Sequence, residues 1–289
     1  MLLGKQVRLN RLTNPVSGRM LSVAMDHGIA NSYTELPYGL EKVPPVLAQV
    51  AAGKPDAIVL NRGIAMHCLG PYAGQVPWMM QTSCFAPHIE NVDHQYSYVE
   101  DALALGADAI AMTITVGDDG QGREITMLGE LVRAAMPAGL PVVAHIYAKG
   151  NQVPPGGLFA LPWVRYGARV GAEIGVDIVK VPYTGSAETF AEVVDTCPLP
   201  VVASGGPRLN SVEELFHMVR GVVDSGARGA TIGRNVWGDP CIPGVMAGLR
   251  AIMHGNASVE EALALYRAEQ QAEPAQLPQQ AGRTAGFYG

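Results

Sequence analysis

The sequence predicts an α/β fold of the TIM (β/α)8 barrel type, and three observations lead there. Short apolar runs, many of them β-branched, recur along the chain, six of them preceded by a helical stretch and a Gly or Pro turn. The repeat is about 25 to 35 residues long, the length of one parallel βα unit. About eight such runs can be counted, enough to close a barrel, whereas five or six would leave an open doubly wound sheet.

The runs follow in order. Leu21–Asp26 is the first, and Ala52-Gly53-Lys54-Pro55 introduces the second at Asp56–Leu60. Met79–Cys84 is the third and the weakest pattern. Leu105-Gly106 precedes Asp108–Ile114, and Ala138-Gly139-Leu140-Pro141 precedes Val142–Tyr147. Ile174-Gly175 leads into Asp177–Val181, Cys197-Pro198-Leu199-Pro200 into Val201–Ser204, and Ser225-Gly226 into Gly229–Gly233. Glycine ends a helix because it tolerates the left-handed conformation of the C-cap. Continuous runs such as Ile178-Val179 suit strands covered on both faces. Ser97-x-x-Glu100, Ser211-x-x-Glu214 and Ser258-x-x-Glu261 have the spacing of capping boxes at helix starts. The segment Gly150–Pro162 is rich in Gly and Pro and is expected to be a long loop after the fifth strand. Residues 1–289 are expected to form one barrel domain, with a polar tail from about Ala272.

Bulk composition narrows the function. The 289 residues are 48% hydrophobic and 16% charged, with net charge −6 and pI about 5.6. No block of Lys and Arg points to a nucleic-acid or anionic-membrane partner. Cys68, Cys84, Cys197 and Cys241 form no C-x-x-C pair, as expected of reduced thiols in a cytoplasmic protein. Neither a signal peptide nor a membrane span is evident. No G-x-G-x-x-G follows the first strand, which argues against a dinucleotide cofactor.

Catalytic groups of such barrels sit where strands end and loops begin. Here those places carry Asp26-His27-Gly28, Tyr147-x-Lys149-Gly150, Lys180, Ser204-Gly205-Gly206-Pro207 and Gly233-Arg234-Asn235. Lys180 interrupts an apolar strand, where a lysine is rarely buried without a partner. Two readings fit it: a nucleophilic amine that forms a Schiff base, or a structural salt bridge to an acid from another strand. A lysine amine is almost wholly protonated at pH 7, and desolvation or a nearby cation favours its neutral form. Lys149, two residues beyond Tyr147, is the candidate cation for that pKa tuning. Tyr147 and Asp26 are candidate proton carriers; a packed tyrosine and a turn aspartate are the plainer alternatives. Ser204, Gly205, Gly206, Gly233 and Arg234 lie after the seventh and eighth strands, where many barrels bind phosphate through backbone amides. Among His27, His67, His88, His94 and His145 there is no H-x-H or H-E-x-x-H spacing, so no metal is expected.

Together these motifs resemble the archaeal-type class I fructose-bisphosphate aldolase family. That family also contains 2-amino-3,7-dideoxy-heptulosonate synthase and the autoinducer-2 phosphate thiolase. The resemblance is carried by Ala24-Met25-Asp26-His27-Gly28, Asp177 through Gly185, Ala203-Ser204-Gly205-Gly206-Pro207 and Ile232 through Trp237, in one collinear order from about residue 15 to 255. It implies a (β/α)8 barrel with Lys180 as the Schiff-base lysine, Tyr147 and Asp26 moving protons, and Ser204, Gly205, Gly206, Gly233 and Arg234 holding a substrate phosphate. It implies a phosphorylated small-molecule substrate with a dihydroxyacetone-phosphate-like donor, no cofactor, and a homo-oligomer, pentamer or decamer. A heptulosonate synthase or a phospho-diketone thiolase on the same lysine is the alternative within the family. A metal-dependent aldolase or a non-catalytic phosphosugar-binding protein is the alternative outside it. The chain departs from fructose-bisphosphate aldolases in lacking a lysine within Met79–Cys84 and a tryptophan within Ala144-His145-Ile146, and in reading Tyr147-Ala148-Lys149-Gly150 for Tyr-Pro-Arg-Gly.

Overall fold

Parallel strands, eight in number, close into the expected barrel in a computed structural model that describes residues 2–29, 36–84 and 94–272. The strands are β1 (Met20–Ala24), β2 (Ala57–Asn61), β3 (Trp78–Gln81), β4 (Ala109–Val116), β5 (Val142–Ala148), β6 (Ile178–Pro182), β7 (Val201–Ser204) and β8 (Gly229–Ile232). Each pairs with its sequence neighbours, and β1 closes on β8 through Met20↔Gly229 to Val23↔Ile232. The weakly patterned third run does form a barrel strand, paired through Leu60↔Met80 and Met80↔Ile110. Two residues later, Ser83–Cys84 pairs antiparallel with His94–Gln95, a small ribbon that the sequence did not announce.

Side chains alternate between the two faces of each strand. Leu21, Val23, Ile58, Leu60, Val179 and Val181 point outward into the main core beneath the helices. Met20, Val59, Met79, Val143, Ile178 and Val202 point inward and fill the lower half of the barrel. Continuing the same parity upward replaces apolar residues by Ser22, Gln81, Thr113, His145, Lys180 and Ser204, all buried. The barrel is therefore apolar at its base and polar at the C-terminal end of its strands.

The base is sealed by α1 (Leu3–Arg11), a helix absent from the periodicity reading because none of its own residues is buried. Leu12, which follows it, is fully buried in the inner core. The helix is held by its basic residues: Lys5 Nζ lies 2.9 Å from Asp177 Oδ2, Arg8 Nη1 donates to the Gly139 carbonyl at 3.0 Å, and Arg11 Nη1 lies 3.2 Å from Asp108 Oδ1. Two of these partners, Asp108 and Asp177, do a second task that Asp56 shares. Asp56, Asp108 and Asp177 each stand just before a strand and accept the N–H of Leu21, Trp78 and Val142.

The helices behave largely as the caps predict. Helix α8 (Val212–Asp224) starts at Ser211, whose Oγ accepts the Glu214 N–H at 3.1 Å. Helix α11 (Val259–Gln271) opens on a complete capping box between Ser258 and Glu261. The third box is displaced by one residue: α4 (Val99–Ala104) is preceded by Tyr98, whose N–H is taken by Asp101, and Ser97 is buried outside the helix. The loop after β5 ends slightly early, since Leu161 and Pro162 already form the first turn of α6 (Leu161–Ile174), a position that needs no N–H from proline. The polar tail expected from about Ala272 lies, from residue 273 on, outside the described residues.

Asp177 joins the seal to the barrel, so Asp177→Ala leaves the Val142 N–H without its acceptor and Lys5 without its counter-ion. We expect it to cost about 1–3 kcal/mol, the penalty for an unsatisfied buried donor. Lys5→Met, which spares the Val142 bond, costs less. Urea denaturation of both variants checks the order.

Candidate active site

The polar upper half of the barrel gathers most of the residues singled out in the sequence. Lys180 sits mid-strand on β6 and is only 5% exposed. Its register partner on β5 is His145, itself 2% exposed. Tyr147 follows two residues further toward the mouth on the same face and is partly exposed. Asp26, two residues beyond the end of β1, continues that strand's inward parity and is partly buried. Its backbone carbonyl accepts Asn61 Nδ2 at 2.9 Å.

Among the described residues, Lys180 makes no salt bridge, so the structural ion-pair reading of this lysine finds no partner. The nearby carboxylate, Asp26, is instead 3.4 Å from His27 Nδ1. Burial pushes the Asp26 carboxyl up, but the His27 imidazole and the Lys180 ammonium outweigh it and hold the group well below the usual carboxylate range. His145 moves the other way. Burial first, and then the Lys180 ammonium, keep its imidazole well below the ordinary histidine range, with Asp26 only partly opposing them. The site thus pairs an ionised carboxylate with a neutral imidazole around one amine. Lys149 stands four residues beyond His145, about 13 Å of strand above the level of Lys180.

The two glycine turns meet as predicted. Ser204 ends β7 and is buried, Gly206 adopts a left-handed φ of 64°, and Gly233 precedes the short helix α9 (Arg234–Trp237). Arg234 Nη2 donates to the Gly206 carbonyl at 2.8 Å. Asn235, which the sequence reading quoted without a role, clamps the whole turn: Nδ2 donates to the Gly205 and Pro207 carbonyls at 3.1 and 2.9 Å, and Oδ1 accepts the Leu209 N–H at 2.7 Å. One expectation needs correction. The Gly205 N–H is already taken by the Thr231 carbonyl at 2.9 Å, so it is not open to a ligand. The N–H groups of Gly206, Gly233 and Arg234 have no such acceptor among the described residues.

His27 connects the two halves of the site. A Cβ on Gly233 would come 2.8 Å from His27 Cε1, so only glycine lets the ring pack there. The other side of the ring meets Trp237 edge-on at 5.3 Å, and Trp237 Nε1 donates to the Ala24 carbonyl at 2.8 Å. This fixes the Asp26–His27 turn against the β8 glycine turn. Of the remaining histidines, His67 and His94 are exposed, and His88 lies outside the described residues. Among the described residues, no group of three His, Cys, Asp or Glu side chains is placed to hold a metal. No helix among them is long and apolar enough to cross a membrane.

Comparisons with known proteins place the chain in a family. A family model described as DeoC/LacD family aldolase matches residues 20–239. The 2-amino-3,7-dideoxy-D-threo-hept-6-ulosonate synthase of Halobacterium salinarum is 34% identical over 264 residues, covering 90% of this chain and 96% of that protein. An uncharacterized aldolase of Saccharolobus solfataricus is 29% identical over 279 residues, covering 92% of this chain and 100% of its own. Among solved structures, an archaeal fructose-1,6-bisphosphate aldolase has its catalytic lysine covalently bound to the carbinolamine intermediate of the substrate. It superposes with a TM-score of 0.79 at 28% identity, over 87% of this chain and 100% of that one.

The neutral state of His145 has a measurable consequence. An unfolded chain takes up a proton at this residue near pH 6.5, whereas the folded protein does not until much lower pH. The contribution of His145 to stability is therefore intact above about pH 6.5 and is lost progressively below it. Urea denaturation between about pH 7.5 and about pH 5.5 should show the stability difference between the unsubstituted protein and His145→Gln narrowing as the pH falls. A difference that stays constant contradicts the assignment.

Proposed function

Since the chain belongs to the DeoC/LacD family of aldolases, we propose that it is a Schiff-base aldolase that makes or breaks a C–C bond in a phosphorylated ketose, with Lys180 as the amine. The observation that carries this reading is the burial of Lys180 at the polar end of the barrel with no salt-bridge partner among the described residues. An amine at this place in the barrel that is not engaged in an ion pair is available to attack a substrate carbonyl.

In this mechanism the neutral Lys180 amine attacks the ketone carbon. A C–N bond forms, the carbonyl π electrons move to oxygen, and a proton passes from nitrogen to that oxygen. A second proton, given by the Tyr147 hydroxyl, lets that oxygen leave as water and leaves a protonated imine. Cleavage of the adjacent C–C bond sends its electron pair into the imine, giving an enamine, while the hydroxyl of the departing fragment loses its proton and becomes an aldehyde. Tyr147, on the same face of β5 and nearer the mouth, takes that proton. Asp26, held ionised, balances the iminium charge and assists proton transfer. Substrate phosphate is held at the N–H groups of Gly206, Gly233 and Arg234, by the Ser204 hydroxyl and by the Arg234 guanidinium. Gly205 serves by letting the β7 turn pack on Ile232.

A transfer reaction on the same lysine is the second reading, favoured by the synthase relative and by glutamine, not lysine, at the inward position 81 of β3. There the enamine is captured by a different acceptor, and products formed with and without added acceptor aldehyde or coenzyme A separate the two. A homo-oligomer and a cytoplasmic location complete the proposal.

Lys180→Met should lower turnover by at least about 10³-fold without changing the far-UV circular dichroism spectrum. Tyr147→Phe should lower kcat by about 10²- to 10⁴-fold. Turnover retained by Lys180→Met would overturn the mechanism.

A further inference from the structure

Three buried polar atoms inside the barrel have no hydrogen-bond partner among the described residues: Gln81 Oε1, Thr115 Oγ1 and His145 Nε2. Their residues are 3%, 1% and 2% exposed. Buried polar groups are nearly always satisfied, so three orphans in one place call for an occupant.

Their placement is one continuous wall. Gln81 Nε2 donates to Thr113 Oγ1 at 2.9 Å, Thr113 is the register partner of His145, and His145 is the register partner of Lys180. Gln81, Thr113, His145 and Lys180 thus follow one another round the barrel from β3 to β6. Thr115 stands one pleat higher, paired with Tyr147. The inward positions of β3 to β5 carry no charged side chain; from base to mouth they run from Met79, Ala109 and Val143 to Gln81, Thr115 and Tyr147. The glycine turns proposed for phosphate follow β7 and β8, on the opposite flank of β6. A substrate anchored there, with its carbonyl carbon at Lys180, extends its remaining carbon chain toward β5, β4 and β3.

The chemistry of the orphans selects a class of ligand. A glutamine oxygen accepts, a threonine hydroxyl donates or accepts, and a neutral imidazole nitrogen does either according to tautomer. A hydroxyl group satisfies all three, whereas a second phosphate would find no charged side chain at the inward positions of β3, β4 and β5. We propose that Gln81, Thr115 and His145 are specificity-determining residues that bind the hydroxyl groups of an uncharged hydroxyaldehyde, the fragment that joins or leaves the Lys180-bound carbon. The inference rests on the assignment of Lys180 and deepens it.

The test compares matched acceptors, glycolaldehyde against acetaldehyde and glyceraldehyde against propionaldehyde, in aldol addition. The donor is the phosphorylated ketone that gives a borohydride-reducible adduct with the unsubstituted protein. We expect kcat/KM to favour the hydroxylated acceptor by about tenfold or more, the effect of losing one hydrogen bond to bound substrate. The preference should collapse toward unity in Gln81→Leu and His145→Phe. His145→Gln, which keeps a hydrogen-bonding side chain, should restore part of it and so separates lost recognition from lost folding. An unsubstituted protein that forms the adduct yet treats the paired acceptors alike would overturn the wall alone. So would a preference unchanged in the two variants. Absence of any adduct would overturn the lysine assignment, and this inference with it.

Discussion

A lysine amine buried with no ion-pair partner among the described residues is the constraint on which the rest of the site depends. Desolvating an ammonium is costly, and proteins usually offset it with a counter-ion. Here the carboxylate in the neighbourhood, Asp26, is turned to His27, 3.4 Å away, and reaches Lys180 through its field. His145, the amine's register partner, is kept neutral first by its burial and then by the Lys180 ammonium, against the field of Asp26.

Rigidity around that amine comes from devices remote from it. The two-residue alternation of parallel strands sends apolar side chains inward at the base and polar ones inward at the top. Asp56, Asp108 and Asp177 fix the starts of neighbouring strands, and α1 seals the base through Lys5, Arg8 and Arg11. At the mouth, Asn235 ties the β7 turn to α9, while His27 locks the β1 turn between Gly233 and Trp237. Precise placement of reacting groups requires such a rigid frame.

Much of this was legible in the sequence because its signals are local. Gly or Pro turns before apolar runs marked six of the strands, Leu21–Asp26 and the weaker Met79–Cys84 completed the eight, and a lysine inside Ile178–Pro182 stood out against its neighbours. What escaped is non-local. Helix α1 has no buried stripe, since its work is done by basic side chains reaching acids as many as 172 residues away. His145 looked like any histidine, because its meaning comes from a register partner on the next strand. Gly205 looked like an open amide until the Thr231 carbonyl was found on it. Asn235 could have been suspected, since a buried amide at the start of a one-turn helix rarely lacks a structural task.

Borohydride reduction in the presence of dihydroxyacetone phosphate and a panel of other phosphorylated ketoses, followed by peptide mass spectrometry, reads the central assignment directly. The account predicts a reduced substrate adduct on the peptide that contains Lys180, and none in Lys180→Met. An adduct on another lysine such as Lys149, or no adduct with any ketose that the protein turns over, would contradict it.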